Sequence, residues 1–183
     1  MGYTKAVAVY VVLSAIISST AALPEYHKVR TYYASGVYAD EDIMLDEGEK
    51  YAVVTVSKIN GEGIPTINLH DFVSGYSAIK DVANKTCYIQ RSTHTMEGMK
   101  DEIYQAVINN GEYKISQRFD CIKQEPIVKS WLPMYGRRIS AFCENYDSRF
   151  FEPKDVKLTK RSTKIVSQNA LWCVFCLYDG CWQ

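Results

Sequence analysis

The chain has no charge bias. Among its 183 residues, 21 Lys and Arg balance 21 Asp and Glu. Zero net charge removes the electrostatic footprint expected of a nucleic-acid binder or of a protein that adheres to an acidic membrane surface. Histidine is scarce. His27, His70 and His94 are scattered, and no Ser/His/Asp or Cys/His grouping has supporting spacing. An enzyme is therefore not expected, and no residue set calls for a metal or other cofactor. Beyond the N-terminal segment, no apolar run approaches the roughly 20 residues a membrane-spanning helix needs. Internal repeats and low-complexity tracts are also missing.

The N-terminus has the layout of a secretory signal. Lys5 is followed by the apolar run Ala6 to Ile17, then by the small residues Ser18 to Ala22, with Pro24 just beyond. Cleavage after Ala21 or Ala22 is expected, which makes the mature chain extracellular. The six cysteines, Cys87, Cys121, Cys143, Cys173, Cys176 and Cys181, all lie in the part that would be secreted, where disulfides persist. Asn84-Lys85-Thr86 is an N-glycosylation acceptor in an expected turn.

Residues 23–47 are polar and become acidic, and they read as a linker or propeptide arm, although Val29 to Tyr38 has the composition of a strand. From Tyr51 the pattern is a meander. Four short strands are expected at Tyr51–Ile59, Thr66–Phe72, Tyr76–Val82 and Thr86–Arg91, separated by Asn-Gly, Ser-Gly and Asn-Lys turns. The period then becomes helical. Met96, Met99, Ile103, Ala106 and Val107 share a face, with Thr95 as N-cap and Asn110-Gly111 as the stop. Glu112 to Cys121 has strand character. A second helix is expected from Pro133 or Met134 to Tyr146, with Ile139, Phe142, Cys143 and Tyr146 as its apolar stripe.

Two cysteines fall on core faces. Cys87 is in phase with Ile89 on the fourth strand, and Cys143 lies in the stripe of the second helix. A helix packed on that sheet brings them together, so a Cys87–Cys143 disulfide is expected in a secreted chain; the alternative is two buried thiols. Cys121, Cys173, Cys176 and Cys181 can pair in three ways, and spacing does not choose among them. Asp71 shares a face with Ile67 and Leu69. Burial disfavours a charged carboxylate unless a cation or donor compensates, so Asp71 is a candidate pH-sensing or structural carboxylate. The alternative is an aspartate at a strand end that reaches solvent.

The C-terminal segment is the most distinctive stretch. Leu171 to Gln183 is aromatic, cysteine-rich and β-prone, with almost no charge and no proline. Such a segment aggregates when exposed. The dibasic pair Lys160-Arg161 just upstream is expected to be a site for a secretory convertase, whose cut would release residues 162–183; the alternative is that Lys154, Lys157 and Arg161 form an ordinary solvated face.

The stretch Leu69-His70-Asp71-Phe72-Val73-Ser74-Gly75-Tyr76-Ser77-Ala78-Ile79, followed by Thr86-Cys87-Tyr88-Ile89, resembles a BRICHOS domain. The later motifs Ile139-Ser-Ala-Phe142-Cys143-Glu144 and Arg149-Phe150-Phe151-Glu152-Pro153 fit the same family, and the likeness covers residues 48–153. The resemblance implies an α+β fold, a central antiparallel sheet with a helix on each face. It pairs an invariant Asp, here Asp71, with Cys87 and a late Cys143. It also implies a built-in chaperone whose client is the chain's own C-terminal segment.

That segment is in turn similar to the mature peptide of arenicin-type antimicrobial precursors, a disulfide-closed hairpin with Trp-Cys at one end and Cys-Trp at the other. Trp172-Cys173 and Cys181-Trp182 match it, with Asp179-Gly180 as a turn. Closure of Cys173 to Cys181 is the arenicin-like choice and leaves Cys176 for Cys121. Those peptides are arginine-rich, whereas residues 162–183 hold one Lys and one Asp, which removes the usual attraction to anionic lipid. The expected organisation is thus 1–22 signal peptide, 23–47 arm, 48–153 BRICHOS-like domain, 154–161 processing linker and 162–183 client peptide. The alternatives are a host-defence precursor with a membrane-active product, and an uncleaved gastrokine-like protein with a structural tail.

Overall fold

The computed structural model describes residues 23–32, 38–57, 65–92, 94–109, 112–114 and 119–155. Nine strands form one sheet in the order β7-β1-β2-β3-β4-β5-β6-β9-β8. They are β1 (Glu25–Tyr32), β2 (Tyr38–Asp46), β3 (Tyr51–Val56), β4 (Thr66–Asp71), β5 (Tyr76–Asp81), β6 (Thr86–Arg91), β7 (Glu112–Lys114), β8 (Phe119–Ile127) and β9 (Asp147–Asp155). Between β6 and β7 lies helix α1 (Met96–Ile108). Between β8 and β9 lie a 3₁₀ helix (Lys129–Tyr135) and helix α2 (Arg137–Cys143). The fold is α+β.

Two expectations about the sheet require correction. The sheet is mixed, because β7 joins β1 and β9 joins β6 in parallel, while β1 to β6 form an antiparallel meander. Residues 23–47 are not an arm: most of them form β1 and β2. The acidic composition concealed the alternation. Asp40 and Asp42 face outward, while Ala39, Ile43 and Leu45 of β2 are buried with Val29 of β1. Apolar residues at every second position are what a half-buried strand requires.

The two faces of the sheet carry separate cores. On one, Met99, Ile103 and Ala106 of α1 pack with Val29, Ile43, Leu45, Ala52, Val54 and Val56. Their spacing of four and three residues places them on one helical stripe. Thr95 caps α1, its hydroxyl accepting from the Gly98 N–H at 3.0 Å. On the opposite face, Ile139 and Cys143 of α2 pack with Leu69, Ala78, Cys87 and Ile89. Residues next to each other in β3, such as Val53 and Val54, therefore serve different cores.

The second helix is shorter than expected. Gly136, at φ +110°, separates the 3₁₀ turn from α2. A helix of seven residues has little stability of its own. It is fastened at its C-terminal end by a disulfide and at its N-terminal end by ion pairs.

Candidate functional site

Three hairpins of the meander share one construction. Asp46, Asp71 and Asp81 each end a strand, and each is buried. Each carboxylate accepts a backbone N–H from its own turn: Glu49 at 2.8 Å, Val73 at 3.2 Å and Asn84 at 2.9 Å. Four residues after each aspartate comes a left-handed residue: Lys50 at φ +55°, Gly75 at +73° and Lys85 at +51°. Short side-chain acceptors favour such turns because they replace a backbone partner.

Asp71 departs from its two counterparts in what approaches it from outside. Its side chain is 4% exposed, and its Oδ1 accepts from Arg138 Nη1 at 3.3 Å. The other end of the Arg138 guanidinium holds Glu49, in the β2–β3 turn. The guanidinium also lies 5.0 Å from the Tyr51 ring centroid. Tyr51 pairs directly with Asp71 across β3 and β4. Arg138 thus ties two turns of the sheet to the start of α2. Gly136 makes this approach possible, since a Cβ there would lie 2.7 Å from Ser74 Cβ and 3.2 Å from Asp71 Oδ2. The aspartate does not reach solvent at the strand end: Arg138 supplies the compensating cation.

At the other end of α2, Cys143 is bonded to Cys87 with Cα atoms 5.6 Å apart. Lys80 pairs with Cys87 across β5 and β6. Its Nζ stands 4.1 Å from the Phe142 ring centroid and 4.9 Å from that of Tyr146. Burial pulls this ammonium below the usual lysine range.

The α1 face of the sheet holds buried polar groups that the sequence did not flag. Glu41 is 1% exposed. Its strand neighbours across β1 and β3 are Val29 and Val56. Burial pushes its carboxyl up to about 8; the nearby Thr31 hydroxyl works in the opposite direction. Neither oxygen has a hydrogen bond of ordinary length among the described residues. Glu102 of α1 is raised to about 7 by burial and then by the neighbouring Asp101. His94 lies 3.9 Å from it and is lowered by burial. The His70 and His94 rings are 6.2 Å apart, edge to face. One signal was available for Glu41: it falls in the inward phase of Ala39, Ile43 and Leu45.

Asn84 is exposed in the β5–β6 turn, and its Nδ2 donates to Asp81 Oδ2 at 2.7 Å. Cys121 lies in β8, opposite Pro153 of β9. Cys173, Cys176, Cys181, Lys160 and Arg161 lie outside the described residues, as do residues 1–22, expected to be a signal, and the 162–183 segment. Among the described residues, no group of three or more His, Cys, Asp or Glu side chains has an arrangement that would hold a metal ion. No described helix is long and apolar enough to cross a membrane. No protein-family model, curated protein or solved structure matches the chain.

Proposed function

We propose that this chain is a secreted precursor whose BRICHOS-like domain is an intramolecular chaperone for its own β-prone C-terminal peptide, released by a convertase at Lys160-Arg161. The observation that carries this reading is the order of strands. β9, the last described element, lies one strand in from the edge strand β8. An unpaired edge is a template for another strand, and the next β-prone segment in the sequence is 171–183. Main-chain pairing along such an edge is β-augmentation, which holds an extended client without demanding a particular sequence. Cys121 lies in β8 itself, so a bond from Cys176 to Cys121 would hold the peptide beside that edge. The motifs around Asp71, Cys87 and Cys143 support the family reading.

The test is a domain of residues 23–155 mixed with a synthetic 162–183 peptide. The domain delays aggregation of the peptide at substoichiometric ratio, and an unrelated secreted β-protein does not. Equal delay by both would overturn the reading. Mass spectrometry of secreted material distinguishes the alternatives: a fragment beginning at Ser162 supports a precursor, and an intact chain supports a gastrokine-like protein.

A further inference from the structure

The 3₁₀ helix after β8 presents an apolar row to solvent. A 3₁₀ helix has three residues per turn, so side chains three apart eclipse one another. Val128, which caps it, is 59% exposed, Trp131 is 59% exposed and Met134 is 78% exposed. They stand at that spacing. The opposite row points inward, with Leu132 buried and Tyr135 packed against Tyr76 at 5.2 Å and Phe150 at 5.8 Å between ring centroids. The helix is therefore held firmly by one side while the other offers a tryptophan and a methionine to water. Aromatic and Met side chains in such positions are the usual anchors of a docking surface.

We infer that the Val128-Trp131-Met134 row is a docking surface for the chain's own aromatic segment, residues Leu171–Trp182. This inference rests on the chaperone reading above and adds the location of the client site. Position and reach argue for this occupant. The row begins one residue after β8 ends, and β8 runs antiparallel to β9, so the row starts at the far end of the edge from Asp155. A nine-residue strand such as β8 is roughly 30 Å long. The 16 residues from Asp155 to Leu171 span at most about 58 Å when extended, enough to run the length of β8 and reach the row. The segment carries one charged group, Asp179, so apolar contact is what it has to offer. Among the described residues, the other exposed apolar group on a helix is Tyr104, Val107 and Ile108 of α1. The buried face of α1 packs over β1 to β3, at the opposite side of the sheet from β8, so this group serves as an internal control.

The experiment uses the full secreted chain with a photo-crosslinking amino acid at position 131. Irradiation at high dilution should produce a crosslink within one chain to residues 171–182, located by mass spectrometry. In parallel, a full-chain variant carrying Trp131→Ser and Met134→Ser should aggregate faster by roughly tenfold, the effect expected for truncating anchoring side chains. Val107→Ser with Ile108→Ser should leave the rate unchanged. Crosslinks between two chains, or to no tail residue, would overturn the assignment. So would a Trp131/Met134 variant that aggregates like wild type. If the domain still delays aggregation of the free peptide in that case, the client site is elsewhere and the chaperone reading survives. If the wild-type domain gives no delay, the chaperone reading itself fails.

Discussion

Gly136 and Ser74 approach so closely that a Cβ on Gly136 would lie 2.7 Å from the Ser74 Cβ. The contact joins the start of α2 to the β4–β5 turn, next to the Asp71–Arg138 ion pair. Gly136 also has φ +110°, where an L side chain is strained. Gly136→Ala combines overpacking with backbone strain and should destabilise the domain by about 2–4 kcal/mol. Denaturant unfolding is the measurement. Ser74→Gly in the same chain should restore only the part due to the clash.

Removing Arg138 leaves Asp71 buried beside Tyr51 without its cation. Breaking a buried pair from one side costs about 3–5 kcal/mol, and the partial exposure of Arg138 places the expected value near the lower end. Arg138→Leu should therefore be much more harmful alone than together with Asp71→Asn. A double-mutant cycle measures the difference, and simple additivity would show that the pair is not coupled.

The Cys87–Cys143 bond spans a sequence separation of 56 residues. In the chain-entropy model, closing a loop of that size stabilises by roughly 4 kcal/mol. Cys87→Ala with Cys143→Ala should lower the denaturation midpoint accordingly, because the unfolded chain regains the freedom the crosslink removes. Reduction of the wild-type protein should reproduce most of the loss.

Glu41 should make stability fall as pH rises. Its carboxyl is raised to about 8 in the fold, so between the unfolded value near 4.5 and 8 the folded state binds more protons than the unfolded one. The contribution is complete below the unfolded pKa and is lost as pH climbs through the folded one, with a slope of up to about 1.4 kcal/mol per pH unit. Glu102, raised to about 7, adds to the same trend. His94, lowered by burial, acts oppositely and weakens the fold as pH falls below the ordinary histidine range. Thermal melts from pH 5 to 8 should show a declining Tm that flattens in Glu41→Gln.

A fragment beginning at residue 48 should not fold, although the motif likeness starts there. It lacks β1 and β2, and with them Val29, Ala39, Ile43 and Leu45 of the α1 core. A fragment of residues 23–155 keeps every described strand. Circular dichroism and proteolysis of the two fragments check this directly.

Local signals determined much of this protein. Alternation and turn residues located β3 to β6 to within three residues, and the β4–β5 and β5–β6 turns each begin at a strand-ending aspartate. The helical period and Thr95 located α1. The inward phases of Cys87 and Cys143 identified two positions that share one core. What depends on distant segments was not legible. The acidic outward face of β2 made 23–47 look like an arm, and only pairing with β1 and β3 revealed Ile43 and Leu45 as core. The parallel partners of β1 and β6 come from chain far downstream, so no local pattern encodes them. Arg138, Glu49 and Asp71 lie in three different loops or elements and meet only when α2 crosses the sheet. The Val128-Trp131-Met134 row has a period of three that a helix of 3.6 residues per turn would scatter; packing of Leu132 and Tyr135 against the sheet turned it into a single exposed line. Periodicity and turn chemistry are written in neighbouring residues, whereas burial and ion pairing are decided by which distant surfaces meet.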